Sequence, residues 1–127
     1  MPKKIKIKEK LEKGKVFEVS TEVTLDLTIN RMGRTGAEVL STPSLLKLME
    51  QCCIDASESL LPNGHTTVGY AVDGMRHLAP TPIGAVVKIK SELLEVDGNK
   101  LTYALEAFEG ENKIGFATHK RAVIPKT

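Results

Sequence analysis

The chain has 127 residues, 41% hydrophobic and 27% charged, which suits one domain around a single core. Eighteen Lys and Arg against sixteen Asp and Glu leave a net charge of +2, too small to imply a nucleic-acid partner by itself. No apolar run approaches the ~18 residues of a membrane span, and the N-terminus lacks the apolar stretch of a signal peptide. Two adjacent cysteines, Cys52 and Cys53, cannot form a disulfide framework and carry no CxxC spacing. A cytoplasmic protein with reduced thiols is therefore expected, with no membrane partner, no metal and no cofactor.

In chain order, KKIKIKEK reads as a solvated, fraying start. From Phe17 to Ile29 apolar residues and Thr21 occupy the odd positions and polar ones the even positions. Period two predicts a strand with one buried face. NRMGRTGAEVL follows as a loop able to cover something; residues 31–40 contain no aromatic side chain. STPSLLKLMEQCC opens a helix over Pro43–Leu61, with Ser41 or Thr42 as N-cap and Pro43 at the first helical position. LPNGH ends it. TTVGYAV and MRHLA predict two short strands broken at Asp73-Gly74, and PTPIG a turn. Ala85–Val96, KLTYALEAF and KIGFATHKRAVI predict three strands joined by turns at DGN and EGEN. The fold class is α+β, one antiparallel sheet wrapped on one long helix, a single domain over residues 1–127.

Glu50 is the residue that this pattern does not explain. At ~100° per residue, Leu45, Met49, Cys52, Ala56 and Leu60 cluster on one side of the helix, and Lys47, Gln51 and Glu58 lie opposite. Glu50 falls on the flank. It is either a solvated boundary carboxylate or one that lines a cleft, where partial desolvation would suit a general base. The helix N-terminus adds free N–H groups and a Thr hydroxyl, which favour an anion or a polarised carbonyl oxygen, although a plain cap also explains them. His77, before the proline-rich turn, is a further polar candidate. His65 and His119 have no supporting context in the sequence.

A helix opening Thr-Pro with Glu eight residues later, then VGY, RHLAPTPIG, a long hairpin and ATHKRAVI, resembles the hot-dog-fold thioesterases of the fluoroacetyl-CoA thioesterase type. The likeness spans about residues 38–124. It implies a hot-dog fold, a homodimer with active sites near the interface, and metal-free hydrolysis of acyl-CoA thioesters. Carried over by position, the catalytic residues fall on Thr42, Glu50 and His77. The substrate-approaching glycine falls on Gly69, and an arginine near the acyl end on Arg121. Glu50 would then activate water or attack the carbonyl itself; both routes stay open. Lys120, Arg76 and Lys47 are candidate cations for the CoA phosphates. A non-catalytic acyl-CoA-binding module on the same fold is the alternative. A hydratase would resemble relatives with an Asp and a His on the helix and its preceding loop, and residues 30–60 hold no His.

Overall fold

The computed structural model describes residues 13–30, 36–58 and 60–127. KKIKIKEK and the centre of the NRMGRTGAEVL loop lie outside the described residues. Among the described residues, five strands and one α-helix follow in the order β1 (Val16–Glu22), α1 (Thr42–Glu58), β2 (His65–His77), β3 (Val86–Asp97), β4 (Lys100–Glu109) and β5 (Asn112–Pro125). They form one sheet, β1-β3-β4-β5-β2, antiparallel at every pairing. β3, β4 and β5 make a meander, because Gly98 and Gly110 each adopt φ +60 at its two tight turns.

Alternation decides which face of the sheet is dry. In β4, Leu101, Tyr103, Leu105 and Ala107 are buried. From α1, Leu45, Met49, Cys52, Cys53 and Ala56 close onto the same core. The helix packs on β1, β2, β3 and β4. Leu45 and Met49 are wholly buried, so truncating either to Ala would remove ~2–5 kcal/mol of stability. Among the described residues, no helix is long and apolar enough to cross a membrane.

Three local expectations are corrected. The strand expected over residues 17–29 ends at Glu22, and Leu25–Leu27 form a 3-10 turn closed by Leu27 N–H and Thr28 N–H to Thr24 and Leu25 carbonyls. Leu25 and Ile29, expected inside, are about half exposed. The helix stops at Glu58, because Leu60 N–H and Leu61 N–H bond three residues back, to Ser57 and Glu58. Such tightening is ordinary ahead of Pro62, which disfavours helix in the residue before it. The two strands expected around Asp73-Gly74 are one strand, β2, which stays paired with β5 through register shifts.

Candidate active site

The start of α1 settles which residue caps it. Ser41 accepts from Ser44 N–H through its hydroxyl and from Leu45 N–H through its carbonyl, so Ser41 is the N-cap. Pro43 therefore stands at the second helical position. Thr42, relieved of capping, is exposed and turns its hydroxyl to His77 Nδ1 at 2.9 Å. His77 ends β2 and is half-buried, and burial lowers its pKa, favouring the neutral ring. Its Nε2 is buried, with no hydrogen-bond partner among the described residues.

Two turns further along the helix a second polar group assembles around Glu50. The Glu50 side chain is 48% exposed, on the flank where the helical wheel places it. Behind it lies Arg121 of β5, only 3% exposed. Its Nε donates to Thr67 Oγ1 at 2.8 Å and its Nη2 to the Thr67 carbonyl at 2.9 Å. Arg121 Nη1 stands 3.1 Å from His119 Nε2 and 3.5 Å from Glu50 Oε2. A buried guanidinium needs partners, and each of its three nitrogens has one here.

Gly69 completes the group. It pairs with Arg121 across β2 and β5. A Cβ there would lie 3.0 Å from Arg121 Nη1, Glu50 Oε2 and His119 Cε1. Glycine at this point thus lets a carboxylate, a guanidinium and an imidazole converge beside an edge strand.

Of the residues singled out in the sequence, Thr42 meets His77, and Glu50 meets Gly69 and Arg121. Among the described residues, no hydrogen bond joins Glu50 to Thr42 or His77. Eight residues of helix put Thr42 and Glu50 roughly 12 Å apart along the axis, on neighbouring flanks, with Glu50's side chain leaning back toward Thr42. Sequence reasoning missed His119 and Thr67. The signal for His119 was present: two residues before Arg121 on a strand, it shares Arg121's face. The His65 ring meets the Asn63 carbonyl and, among the described residues, shares no hydrogen bond with either group.

Other candidates recede. Burial pushes the thiols of Cys52 and Cys53 up, which keeps them protonated and unreactive. Among the described residues, no three or more His, Cys, Asp or Glu side chains converge as metal ligands. Lys120 lies 3.9 Å from Asp73, and Arg76 bonds the carbonyl of Met75, whereas Lys47 stays exposed on α1.

One long helix laid on a five-stranded antiparallel sheet is the hot-dog fold. A hot-dog-like protein from Thermanaerovibrio acidaminovorans shares it, with a TM-score of 0.84 at 22% identity over 94% of this chain and 88% of its own. The sequence model of the fluoroacetyl-CoA-specific thioesterases matches residues 23–127, and the chain belongs to that family. The fluoroacetyl-CoA thioesterase of Streptantibioticus cattleyicolor is 38% identical over 87 residues, which are 68% of this chain and 62% of that relative. The match thus spans less than two thirds of the curated relative's length. A threonine-to-serine mutant of a fluoroacetyl-CoA thioesterase, solved with acetyl-CoA, gives a TM-score of 0.82 at 30% identity over 91% of this chain and 90% of its own.

Proposed function

We propose that the chain hydrolyses small acyl-CoA thioesters to the free acid and CoA. Thr42, Glu50 and His77 are the catalytic groups of this reading, and Gly69 and Arg121 border the acyl end. The observation that carries it is a half-exposed carboxylate backed by a fully tethered, buried guanidinium. Such a carboxylate is oriented on one side and open to a ligand on the other. Family membership supports the thioester as that ligand.

Glu50 then acts as base toward water or attacks the carbonyl directly. Neutral His77 accepts the Thr42 hydrogen bond at Nδ1 and so orients the hydroxyl; where Thr42 attacks, His77 takes that proton and returns it to the departing thiolate, and where water attacks, the proton that Glu50 takes from the water goes to the thiolate. The positive end of the α1 dipole favours developing negative charge beside Thr42. Lys47, exposed near that end, is the most available of the candidate cations for the CoA phosphates.

The same reading includes a homodimer. β2 is an edge strand of 13 residues that exposes Val68, Tyr70 and Val72. An exposed apolar edge favours pairing with another chain, and a second copy on β2 would cover the ground beside Gly69. Cytoplasmic location belongs to the reading too, in keeping with two buried free thiols.

The test is thiol release from acetyl-CoA, fluoroacetyl-CoA and longer acyl-CoAs, with and without chelator, alongside light scattering. Turnover of short acyl groups that survives chelation supports the proposal. Tight binding without turnover replaces it with the binding-module alternative. Loss on chelation with recovery on zinc overturns the metal-free mechanism, and a stable monomer removes the interface.

A further inference from the structure

His119 carries no role in the mechanism above, yet it is among the most enclosed polar side chains near Glu50. It is 2% exposed and lies opposite Tyr103 in the β4–β5 register. Nδ1 stands 3.2 Å from the Ala71 carbonyl, and Nε2 stands 3.1 Å from Arg121 Nη1. A carbonyl only accepts and a guanidinium only donates. The two partners therefore dictate the proton: Nδ1 carries it and donates to Ala71, while Nε2 offers its lone pair to Arg121. Glu50 Oε2, at 4.0 Å, lies beyond hydrogen-bond reach of Nε2.

We propose that His119, held as the neutral Nδ1–H tautomer between Ala71 and Arg121, is the positioning residue that aims the Arg121 guanidinium at Glu50. Three bonds define Arg121: two to Thr67 on β2 and one to His119 on its own strand. Thr67 holds the Nε and Nη2 edges of the guanidinium. His119 holds Nη1, the nitrogen that faces Glu50 Oε2. Removing the acceptor at Nε2 frees that nitrogen to swing, and the carboxylate loses its fixed neighbour. A charged imidazolium at this place would have no lone pair for Arg121 and would set two cations side by side.

The surroundings agree with a neutral ring. Around His119 stand Glu50 from α1, Tyr103 from β4 and Arg121 from β5, β2 contributes the Ala71 carbonyl, and Cys53 of α1 lies near Glu50 and Arg121 in turn. Burial pushes the Cys53 thiol up and the Tyr103 phenol up to about 12, so neither adds charge at neutral pH. Burial and the Arg121 charge lower the His119 pKa, against a smaller opposite pull from Glu50 and from the Ala71 carbonyl.

This inference rests on the proposed hydrolysis for its kinetic readout, and a spectroscopic readout tests it independently. Ring nitrogen NMR of the intact protein at pH 7, assigned with His119→Gln, should show the His119 ring neutral and protonated at Nδ1. A charged ring, or one protonated at Nε2, overturns the proposal whether or not the protein is an enzyme. For kinetics, His119→Gln places an amide oxygen near the position of Nε2, and His119→Asn reaches only toward Nδ1. His119→Leu reaches neither partner. Leu and Asn should lower kcat by about 10- to 100-fold, the scale of a misplaced reacting group, with KM nearly unchanged. Gln should recover most of the loss. A purely structural role would instead lower the folded fraction in all three and leave kcat per folded molecule alone; that result, or Asn outperforming Gln, overturns the proposal. If Leu fails to fold, the Gln–Asn order still decides. If the wild type releases no thiol from any acyl-CoA, the hydrolysis reading fails, and the ring tautomer alone decides the role of His119.

Discussion

Gly69→Ala perturbs the candidate site through a single methyl group. No positive φ is required at this position, so alanine is compatible with the backbone. Replacing Gly where the backbone allows Ala gains ~0.4–1 kcal/mol by narrowing the unfolded ensemble. Against that, the new Cβ meets Arg121 Nη1, Glu50 Oε2 and His119 Cε1, each at 3.0 Å, where neighbours must give by a few tenths of an ångström. Crowding of that kind costs ~1–3 kcal/mol in a rigid core. Glu50, 48% exposed, is free to yield, whereas Arg121 and His119 are 3% and 2% exposed and give less. The cost then lies near the middle of that range, and after the gain above stability should fall by about 1 kcal/mol. The rate should not be spared. If 1 Å of misplacement costs ~10²-fold, then 0.3–0.5 Å costs about 4- to 10-fold in kcat. Gly115→Ala is the contrast. Its Cβ would lie 2.8 Å from the Arg76 carbonyl and 2.9 Å from Leu45 Cδ2, against backbone and a wholly buried side chain. That variant should lose ~2–3 kcal/mol of stability. Thermal unfolding and thiol release from a short acyl-CoA read both quantities. Gly69→Ala with undiminished kcat, or with a stability loss as large as that of Gly115→Ala, would refute this assignment of strain to the active groups.

The remaining expectations concern charge and protons. Glu50→Gln keeps the shape and removes the base, so turnover should fall by ~10²-fold or more with the fold intact, whereas Glu58→Gln should stay near wild type; equal activity in both would return Glu50 to a boundary residue. Thr42→Ser retains the hydroxyl that meets His77 and should keep most activity, whereas Thr42→Ala should lose at least about tenfold in kcat; similar rates for the two would remove the hydroxyl from the mechanism. Acidification should destabilise the protein. His77 and His119 both have folded pKa values lowered from 6.5, so the folded state binds fewer protons than the unfolded one. Stability is then full above 6.5 and falls as pH drops from there toward the lower folded values. His119→Gln should flatten that decline in thermal midpoint between about pH 7.5 and 5.5, and an unchanged slope would count against His119 as a contributor.

The architecture was legible because it rests on periodicity and turn residues. The spacing of Leu45, Met49, Cys52 and Ala56 marked the helix, and alternation marked β3, β4 and β5. The errors fall where local pattern and long-range pairing disagree. Leu25 and Ile29 keep the alternation of β1 after the chain has left the sheet. Asp73-Gly74 looks like a strand break, yet β5 holds both sides in one ladder. In the candidate site, the flank position of Glu50 followed from the helical wheel. Its guanidinium partner did not, because Arg121 comes from a strand 71 positions later and only tertiary packing unites them. His119 was passed over for the same reason: its partners are a β2 carbonyl and an arginine whose burial the sequence conceals.

The register shifts in β2 bear on how this segment can change length. Gly69 faces Arg121 and His77 faces Gly115, so eight steps along β2 answer six along β5. The surplus is even. Side chains alternate with period two, so an even surplus returns Gly69 and His77 to the same side of the sheet. Each of the two register shifts takes up one surplus residue. An insertion or deletion of one residue between Gly69 and His77 would send the His77 ring to the far side, away from Thr42, unless one bulge is gained or lost with it. A change of two would keep the alternation. Loop grafting or library design in this stretch should therefore proceed in pairs of residues, or change a single residue only together with one bulge.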